Sequence, residues 1–465
     1  MMTLSLAIRN LLRNRRRSLA TLLAMAIGAT AILLFGGFKT SISYGMQTTL
    51  IQQTGHLQIQ HQDFYLYGSG DPTAYGIADY VSVLEAIKKD DVLKNMVLVV
   101  TPTLQFGGIA GNYAASVSRT VIGKGYVAED ANRMRRWNGF GMQSNAVMSA
   151  LEGALPDAAV VGIGVARVLQ LCGALGIADC PKPMQAPRAE GDAIPDDIAQ
   201  LSVQEGPAPT TAVVGTKPKI EVLVVNARGA PNVTTLQVVR AEDQGIKELD
   251  EVSIIMHLAT LQKLVYGNSP TKATSILIQL RHSGQIDAAR ARLAAILTRF
   301  SDNQPLTVLD YRELSPFFVQ TMQMFDMLFG FVFLLIGSIV LFTVSNTMNT
   351  TVTERTVEIG TLRAIGLRRR GILQLFVVEG ALLGIIGALL GAILSLSLAG
   401  IINQIGMEWL PPATATPIPF TVVVWGETQM IVGTTLALIV VATASAWWPA
   451  YRAARLHVVD ALRHV

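Results

Sequence analysis

Charge is scarce in this chain. Of its 465 residues 51% are hydrophobic and 15% charged, with a net charge of +4, whereas a soluble domain carries about 25% charged residues. The shortfall argues against an ordinary soluble protein and points to membrane-spanning segments. Signatures of bound nucleotide or catalysis are also missing. No G-x-x-x-x-G-K-[ST] run occurs; "SRTVIGKG" comes nearest but lacks the first Gly and the final Ser or Thr. H-E-x-x-H and G-x-S-x-G are absent. "GIGVAR" at 162–167 is a G-x-G without the third glycine of a dinucleotide loop. His56 and His61 stand five residues apart, on opposite faces of a strand, which disfavours a metal pair. The residues thus offer no catalytic, cofactor-binding or metal-binding set. Cysteine is limited to Cys172 and Cys180. An oxidising compartment favours a disulfide between them; two free buried thiols are the alternative.

Long apolar runs are what the chain does have. A helix needs about 20 apolar residues to cross a bilayer core of about 30 Å. Ser18–Phe38, Met327–Val344, Ile372–Ile402 and Thr428–Trp448 qualify. Basic residues orient them. Arg9, Arg13, Arg15, Arg16 and Arg17 precede the first span, Arg355, Arg363, Arg368, Arg369 and Arg370 lie between the second and third, and Arg452, Arg455 and Arg463 follow the fourth. The 403–427 loop holds no Lys or Arg. The positive-inside rule then puts both termini and the 351–371 loop in the cytoplasm and residues 39–323 outside. The basic clusters adjoin spans, so anionic lipid explains them better than nucleic acid. Leu4, Ile8, Leu11 and Leu12 share a helical face, which suits a helix lying on the inner membrane surface.

The helices around the first two spans outrun the membrane. Ser315 and Pro316 suit a helix start, and a helix from Pro316 to Ser345 would be about 45 Å long at 1.5 Å per residue. Span one can continue through "KTSISYGMQTTLIQQTG", unless Gly36-Gly37 breaks it. The expected result is a paired stalk. Gly380, Gly384, Gly387 and Gly391 in span three form two pairs at four-residue spacing, which permits close helix approach in lipid, either to another span of this chain or to another chain. Glu379 is read as an interfacial acid at the cytoplasmic end of that span.

Between the stalk helices, "HLQIQ" and "IEVLVVNA" read as strands, "PDAAVVGIGVARVLQL" as a strand entering a helix, and "IDAARARLAAILTRF" as a helix with its apolar stripe at Ile286, Ala289, Leu293, Ile296 and Leu297. Residues 181–218, rich in Pro, Gly and acids, read as a mobile insertion. The fold class is thus an α-helical membrane protein with four transmembrane helices and a large α+β domain inserted between helices 1 and 2. The expected organisation is a cytoplasmic amphipathic helix at 1–17, span one and stalk at 18–53, the external domain at 54–315, stalk and span two at 316–345, a cytoplasmic loop at 346–371, span three at 372–402, a short external loop at 403–427, span four at 428–448 and a cytoplasmic tail at 449–465.

The 351–371 loop, "TVTERTVEIGTLRAIGLRRRG", concentrates charge between two apolar stretches. Val352, Ile359, Leu362, Ile365 and Gly366 fall near one side of a helix that Gly366 can end. Mixed acid and base favours a groove on a cytoplasmic protein over bare anionic lipid.

At this point the sequence resembles a family. "NTMNTTVTERTVEIGTLRAIGLRRRGILQLFVVEGALLG" (346–384) looks like the signature of FtsX-like/MacB-like ABC transporter permeases, of the lipoprotein-releasing and macrolide-exporter kind with a type VII mechanotransmission mechanism. "PAYRAARLHVVDALRHV" (449–465) resembles the family's ending and "LAIRNLLRNRRRSLATLL" (5–23) its opening. "TGHLQIQ" and "KELDEVSIIMHLATLQKLV" resemble stretches of its periplasmic core domain. The resemblance implies a bacterial inner-membrane permease subunit, both termini cytoplasmic, that dimerises with itself or a relative and pairs with two copies of a cytoplasmic ABC ATPase. ATP and magnesium sit on that ATPase, and this chain binds no cofactor. A periplasmic adaptor or membrane fusion protein is a further partner. Glu354, Arg355, Glu358, Gly360, Arg363, Ala364 and Gly366 would form the ATPase-coupling element. The work implied is extraction or extrusion of lipoprotein, lipid, peptide or drug-like cargo; the alternative is a signal transducer that activates a periplasmic cell-wall hydrolase.

Overall fold

The structure is a computed structural model that describes residues 2–13, 15–68, 70–142, 147–177, 180, 217–245, 247–300, 304–410 and 417–456. Among these, and numbering helices of six residues or more, the chain begins with α1 (Met2–Arg13) and α2 (Arg15–Thr54). Then come β1 (Leu57–His61), α3 (Tyr80–Lys89), β2 (Val97–Asn112), β3 (Val117–Tyr126), α4 (Ala128–Arg135), β4 (Ala158–Gly162), α5 (Ile163–Val168), β5 (Lys219–Val225), β6 (Pro231–Glu242), β7 (Ser253–His257), α6 (Leu258–Tyr266), β8 (Ser275–Leu280), α7 (Ile286–Leu297) and β9 (Leu306–Asp310). The last part comprises α8 (Pro316–Glu354), α9 (Thr356–Ala364), α10 (Arg369–Ile405), the short pair β10 (Glu408–Trp409) and β11 (Ile418–Pro419), and α11 (Thr428–Arg455). The chain divides into two compact units, one of residues 1–46, 317–409 and 418–465, the other of residues 47–316 and 410–417.

The first unit is built from helices. α2, α8, α10 and α11 are each long and apolar enough to cross a membrane. At 1.5 Å per residue, the 40 residues of α2 and the 39 of α8 make each about 60 Å long. Gly36-Gly37 does not interrupt α2, and α8 runs past Ser345 to Glu354. The four glycines of α10 pack inside this chain, against two different helices. A Cβ on Gly380 or Gly384 would meet Ala446 or Ala442 of α11, and one on Gly387 or Gly391 would meet Met25 or Ala29 of α2. A Cβ on Gly391 would also come within 2.7 Å of the Ala26 carbonyl oxygen. Without side chains in the way, the backbones approach closely enough for Thr30 to donate to both Ala26 O (2.7 Å) and Gly391 O (3.1 Å). Ile32, Val344, Met348, Phe376, Leu383 and Leu438 fill the space between the helices. Met327, Phe331, Leu334 and Phe342 of α8 point outward instead.

The second unit is a nine-stranded sheet in the order β3-β7-β4-β6-β5-β2-β8-β1-β9, and β3 also pairs with β2. That extra pairing closes β3, β7, β4, β6, β5 and β2 into a six-stranded ring. Alternation along β5 sends Ile220, Val222 and Val224 inward. They meet Leu104 and Phe106 of β2, Val161 of β4, Leu236 and Val238 of β6, and Ile254 and Met256 of β7 in one core. β2 is 16 residues long. Its far half pairs with β5 and its near half with β8, so one strand belongs to the ring and to the open part of the sheet, where β1 lies between β8 and β9. α7 buries Ile286, Ala289, Leu293, Ile296 and Leu297, the apolar stripe read from its sequence. β4 runs into α5 with no break.

Cys172 and Cys180 are joined by a disulfide, with Cα atoms 6.2 Å apart. Of the insertion read at 181–218, residues 181–216 lie outside the described residues. His56 and His61 have separate partners. His56 is fully buried; its Nδ1 accepts from the Leu280 amide at 3.0 Å and its Nε2 meets Ser283 Oγ at 3.2 Å. Burial pushes the His56 imidazole down to about 4. His61 Nδ1 accepts from the Asp63 amide.

Candidate functional site

The loop between α8 and α10 is largely a second short helix. α8 ends at Glu354, Arg355 leaves helical geometry (φ −105°, ψ 17°), and the nine residues of α9 follow. Gly366, at φ +104°, allows the reversal after α9, where a side chain would be strained. Arg368 is extended and α10 begins at Arg369.

The charges at this corner are engaged inside the chain. Arg355, almost fully buried, donates from Nη1 to Glu379 Oε1 of α10 at 3.2 Å and from Nε to Glu358 Oε2 at 2.9 Å. Its guanidinium lies 5.9 Å from the centre of the Phe376 ring. Glu379 is 2% exposed and accepts a second bond, 2.6 Å from Asn10 Nδ2 of α1. This places Glu379 in the packed interior of the unit. The reason is local: small and apolar residues of α10 surround it, so it is retained there only because two donors reach it. Arg13 of α1 donates to Glu358 Oε1 at 2.6 Å, and Arg17 of α2 grips Glu354 with two bonds of 2.6 and 2.8 Å. Burial works to raise the Glu358 carboxyl, but the bonds from Arg355 and Arg13 outweigh it and hold the group below its ordinary value. Arg363 donates to the Leu456 carbonyl after α11.

Consequently α1, the end of α8, α9 and α10 are tied by one polar network around Arg355. The exposed pairs, Arg17–Glu354 and Arg13–Glu358, are screened by solvent and contribute little; the buried Arg355–Glu379 contact sets the geometry. α9 turns Ile359 and Gly360 inward, and Val352 ahead of it is buried as well. Leu362 is partly buried. Ile365, read from sequence as part of that inner face, is 80% exposed, because the chain leaves the helix at Ala364. Val357, Ala364, Ile365, Gly366 and Leu367 form the exposed side. On α1 the inward positions are Ala7 and Asn10, while Ile8 and Leu12 face out.

Sequence reading picked out Glu354, Arg355, Glu358 and Arg363 but missed their partners. Asn10 was visible as a polar residue among the apolar positions of α1, and Arg13 and Arg17 were read as markers of orientation alone. Their pairing with residues more than three hundred positions later leaves no local pattern.

Four helices are thus long and apolar enough to cross a membrane, and the short helix that connects two of them is held in one orientation. Residues 327–458 match the FtsX-like permease C-terminal family. An uncharacterized ABC transporter permease of Methanocaldococcus jannaschii is 27% identical over 218 residues, 46% of this chain and 51% of that protein. The macrolide export ATP-binding/permease protein MacB of Acinetobacter baylyi is 30% identical over 159 residues, 34% of this chain and 23% of that protein. MacB of Neisseria gonorrhoeae is 27% identical over 236 residues, 49% and 33% respectively. The chain therefore spans about half the length of the first of these relatives and less of the others. Among solved structures, the periplasmic region of MacB from Actinobacillus actinomycetemcomitans aligns over 59% of this chain and 95% of that one, with 11% identity and a TM-score of 0.32. Residues 327–458 thus resemble the FtsX-like permease C-terminal family, and the chain is similar in sequence to ABC transporter permeases, MacB among them.

Proposed function

We propose that this chain is the permease subunit of a bacterial ABC transporter, and that α9 is the helix through which a separate cytoplasmic ATPase acts on it. Two ATPase copies, carrying ATP and magnesium, would work on a dimer of permease chains in the inner membrane, with both termini cytoplasmic and the sheet unit in the periplasm. The work delivered there would extract or extrude lipoprotein, lipid, peptide or drug-like cargo, with or without a periplasmic adaptor. The observation that carries the reading is the division of labour on α9. Its Glu358 is held by Arg13 of α1 and by Arg355, and its Arg363 by the end of α11, while Val357 and, just past the helix, Ile365 and Leu367 present an exposed apolar surface. A short helix with an apolar face suits a groove on a partner. Glu354, Arg355 and Glu358 then act by fixing the helix, Gly360 by letting it pack, Arg363 by tying it to the end of α11, and Ala364 and Gly366 by belonging to the contact surface.

Co-purification tests the assignment. Ile365→Asp should reduce recovery of the ATPase with the permease at least tenfold without changing membrane insertion. Full recovery with Ile365→Asp and Leu367→Asp together would sink the coupling role. A membrane-impermeant thiol reagent should label Leu410→Cys and leave Thr361→Cys unlabelled in intact cells; the opposite pattern overturns the orientation.

A further inference from the structure

A second polar feature lies in the same helical unit, away from the Arg355 network. α8 and α11 diverge beside Trp448 and leave an open cavity of about 680 Å³. Phe342, Ser345, Asn346 and Asn349 line it from α8, and Trp448 and Arg452 from α11. On α8 these positions are spaced i, i+3, i+4 and i+7, one continuous face. Trp448 and Arg452 are one turn apart and face them. Pro449, inside α11, also lines the cavity and cannot donate an intrahelical bond to Ser445.

Thr343 and Thr347, which also line the cavity, are hydrogen-bonded within the helices; Arg452, Asn346 and Asn349 have no ion pair or side-chain hydrogen bond among the described residues. Among the described residues Arg452 has no acidic partner; its guanidinium stands 5.8 Å from the centre of the Trp448 ring. The side-chain amides of Asn346 and Asn349 are exposed and make no internal hydrogen bond among the described residues. Nearby Thr347 is different, since its hydroxyl meets Thr21 across the helix interface at 2.8 Å. Asn346 and Asn349 directly follow the apolar run 327–344 on the outward face of α8, at the level a headgroup would occupy beside that span. The walls are mixed. Phe342 and Trp448 offer exposed apolar surface, and the cation and amides sit between them. Trp447, Trp448 and Tyr451 with Arg452 and Arg455 also form the aromatic and basic belt found where a helix leaves lipid.

We propose that this groove binds the phosphate headgroup of an anionic phospholipid. Arg452 pairs with the phosphate, Asn346 and Asn349 donate to its ester and headgroup oxygens, and one acyl chain lies along Phe342 and Trp448. Basic pockets between spans at the cytoplasmic side hold anionic headgroups in this way. The choice of lipid over a free anion follows from the apolar walls, which a small ion would leave bare. The inference rests on the reading of α8 and α11 as membrane spans with this end inside.

Native mass spectrometry of the full chain in detergent, titrated with dioleoyl phosphatidylglycerol or dioleoyl phosphatidylcholine, tests it. Wild type should retain one phosphatidylglycerol at least tenfold more tightly than phosphatidylcholine. Arg452→Gln should remove that preference, and Asn346→Ala, on an exposed helix face that leaves the core untouched, should weaken it several-fold. Equal retention of the two lipids by wild type, or an unchanged preference in both variants, overturns the proposal. So does binding of glycerophosphoglycerol or inorganic phosphate as tight as that of the lipid, which would make the site one for a soluble anion. An intermolecular disulfide forming readily in Asn346→Cys would assign the groove to a second permease chain and also overturn it. The binding arm does not depend on which side of the membrane the groove faces. Reversed thiol labelling at 361 and 410 would therefore defeat the orientation while leaving the binding result standing, and the two failures are told apart.

Discussion

Replacing Glu379 with Leu is the sharpest test of the network around Arg355. Glu379 is fully enclosed in that corner, and it accepts from Asn10 at 2.6 Å and Arg355 at 3.2 Å. Leucine fits the volume but leaves a buried guanidinium and a part-buried amide without that acceptor. Removing one partner of a buried pair costs about 3–5 kcal/mol. Arg355 keeps its bond to Glu358, which reaches solvent, so a loss near the lower limit, about 3 kcal/mol, is expected. Arg355→Met on its own strands Glu379 in turn and should cost a similar amount. The double variant strands neither charge and should recover most of the loss, giving a coupling of about 2 kcal/mol or more in the cycle. Equilibrium unfolding of the purified chain in mixed micelles with rising dodecyl sulfate measures all four forms. A Glu379→Leu penalty below about 1 kcal/mol, or a double variant as unstable as the sum of the two singles, refutes the view that a desolvated ion pair holds this corner.

Two further outcomes follow from other parts of the chain. Gly391→Leu should destabilise the helical unit by about 1–3 kcal/mol, because a side chain there collides with Ala29 and the Ala26 carbonyl; Gly400→Leu, where the neighbouring space is open, should cost less than a third of that in the same assay. Acidification should weaken the sheet unit through His56. Its folded value near 4 lies below the ordinary 6.5, so nothing is lost above pH 6.5, and stability falls as the pH drops from 6.5 to 4, by at most about 3 kcal/mol. Trp137, whose ring is edge-on to His56 at 4.9 Å, reports the transition by fluorescence, and His56→Leu should flatten this part of the pH profile.

How much could be read ahead of the structure depended on range. The four long helices were legible because each contains an apolar run that only a bilayer or a core accommodates, and α7 was legible down to its buried face because five apolar residues repeat at helical spacing. The ring of strands was not. β1, β4 and β5 each announce themselves by composition, but nothing within a strand says that β3 will pair with β7 on one side and β2 on the other. The corner at Arg355 shows the same limit. Its charges stood out, and their density suggested an external partner, yet Arg13, Arg17 and Glu379 engage three of them, Glu358, Glu354 and Arg355. The apolar residues that face outward, Val357, Ile365 and Leu367, were hidden among the charges.

The closed ring also sets an order of assembly. β2 and β3 are joined by a four-residue turn and can zip as soon as both are made, since a short loop carries little closure entropy. The pairing that shuts the ring joins Ile122 to Ser253, far along the chain, and cannot form until β4, β5 and β6 have been laid down between them. Until then the outer edge of β3 stays open, and Ile254 and Met256, which end in the core, have nowhere to go. Such long-range closure is slow and leaves edges that aggregate. The vulnerable moment of this protein is therefore its birth: substitutions in β7 should act less on the finished molecule than on the fraction of chains that ever reach it.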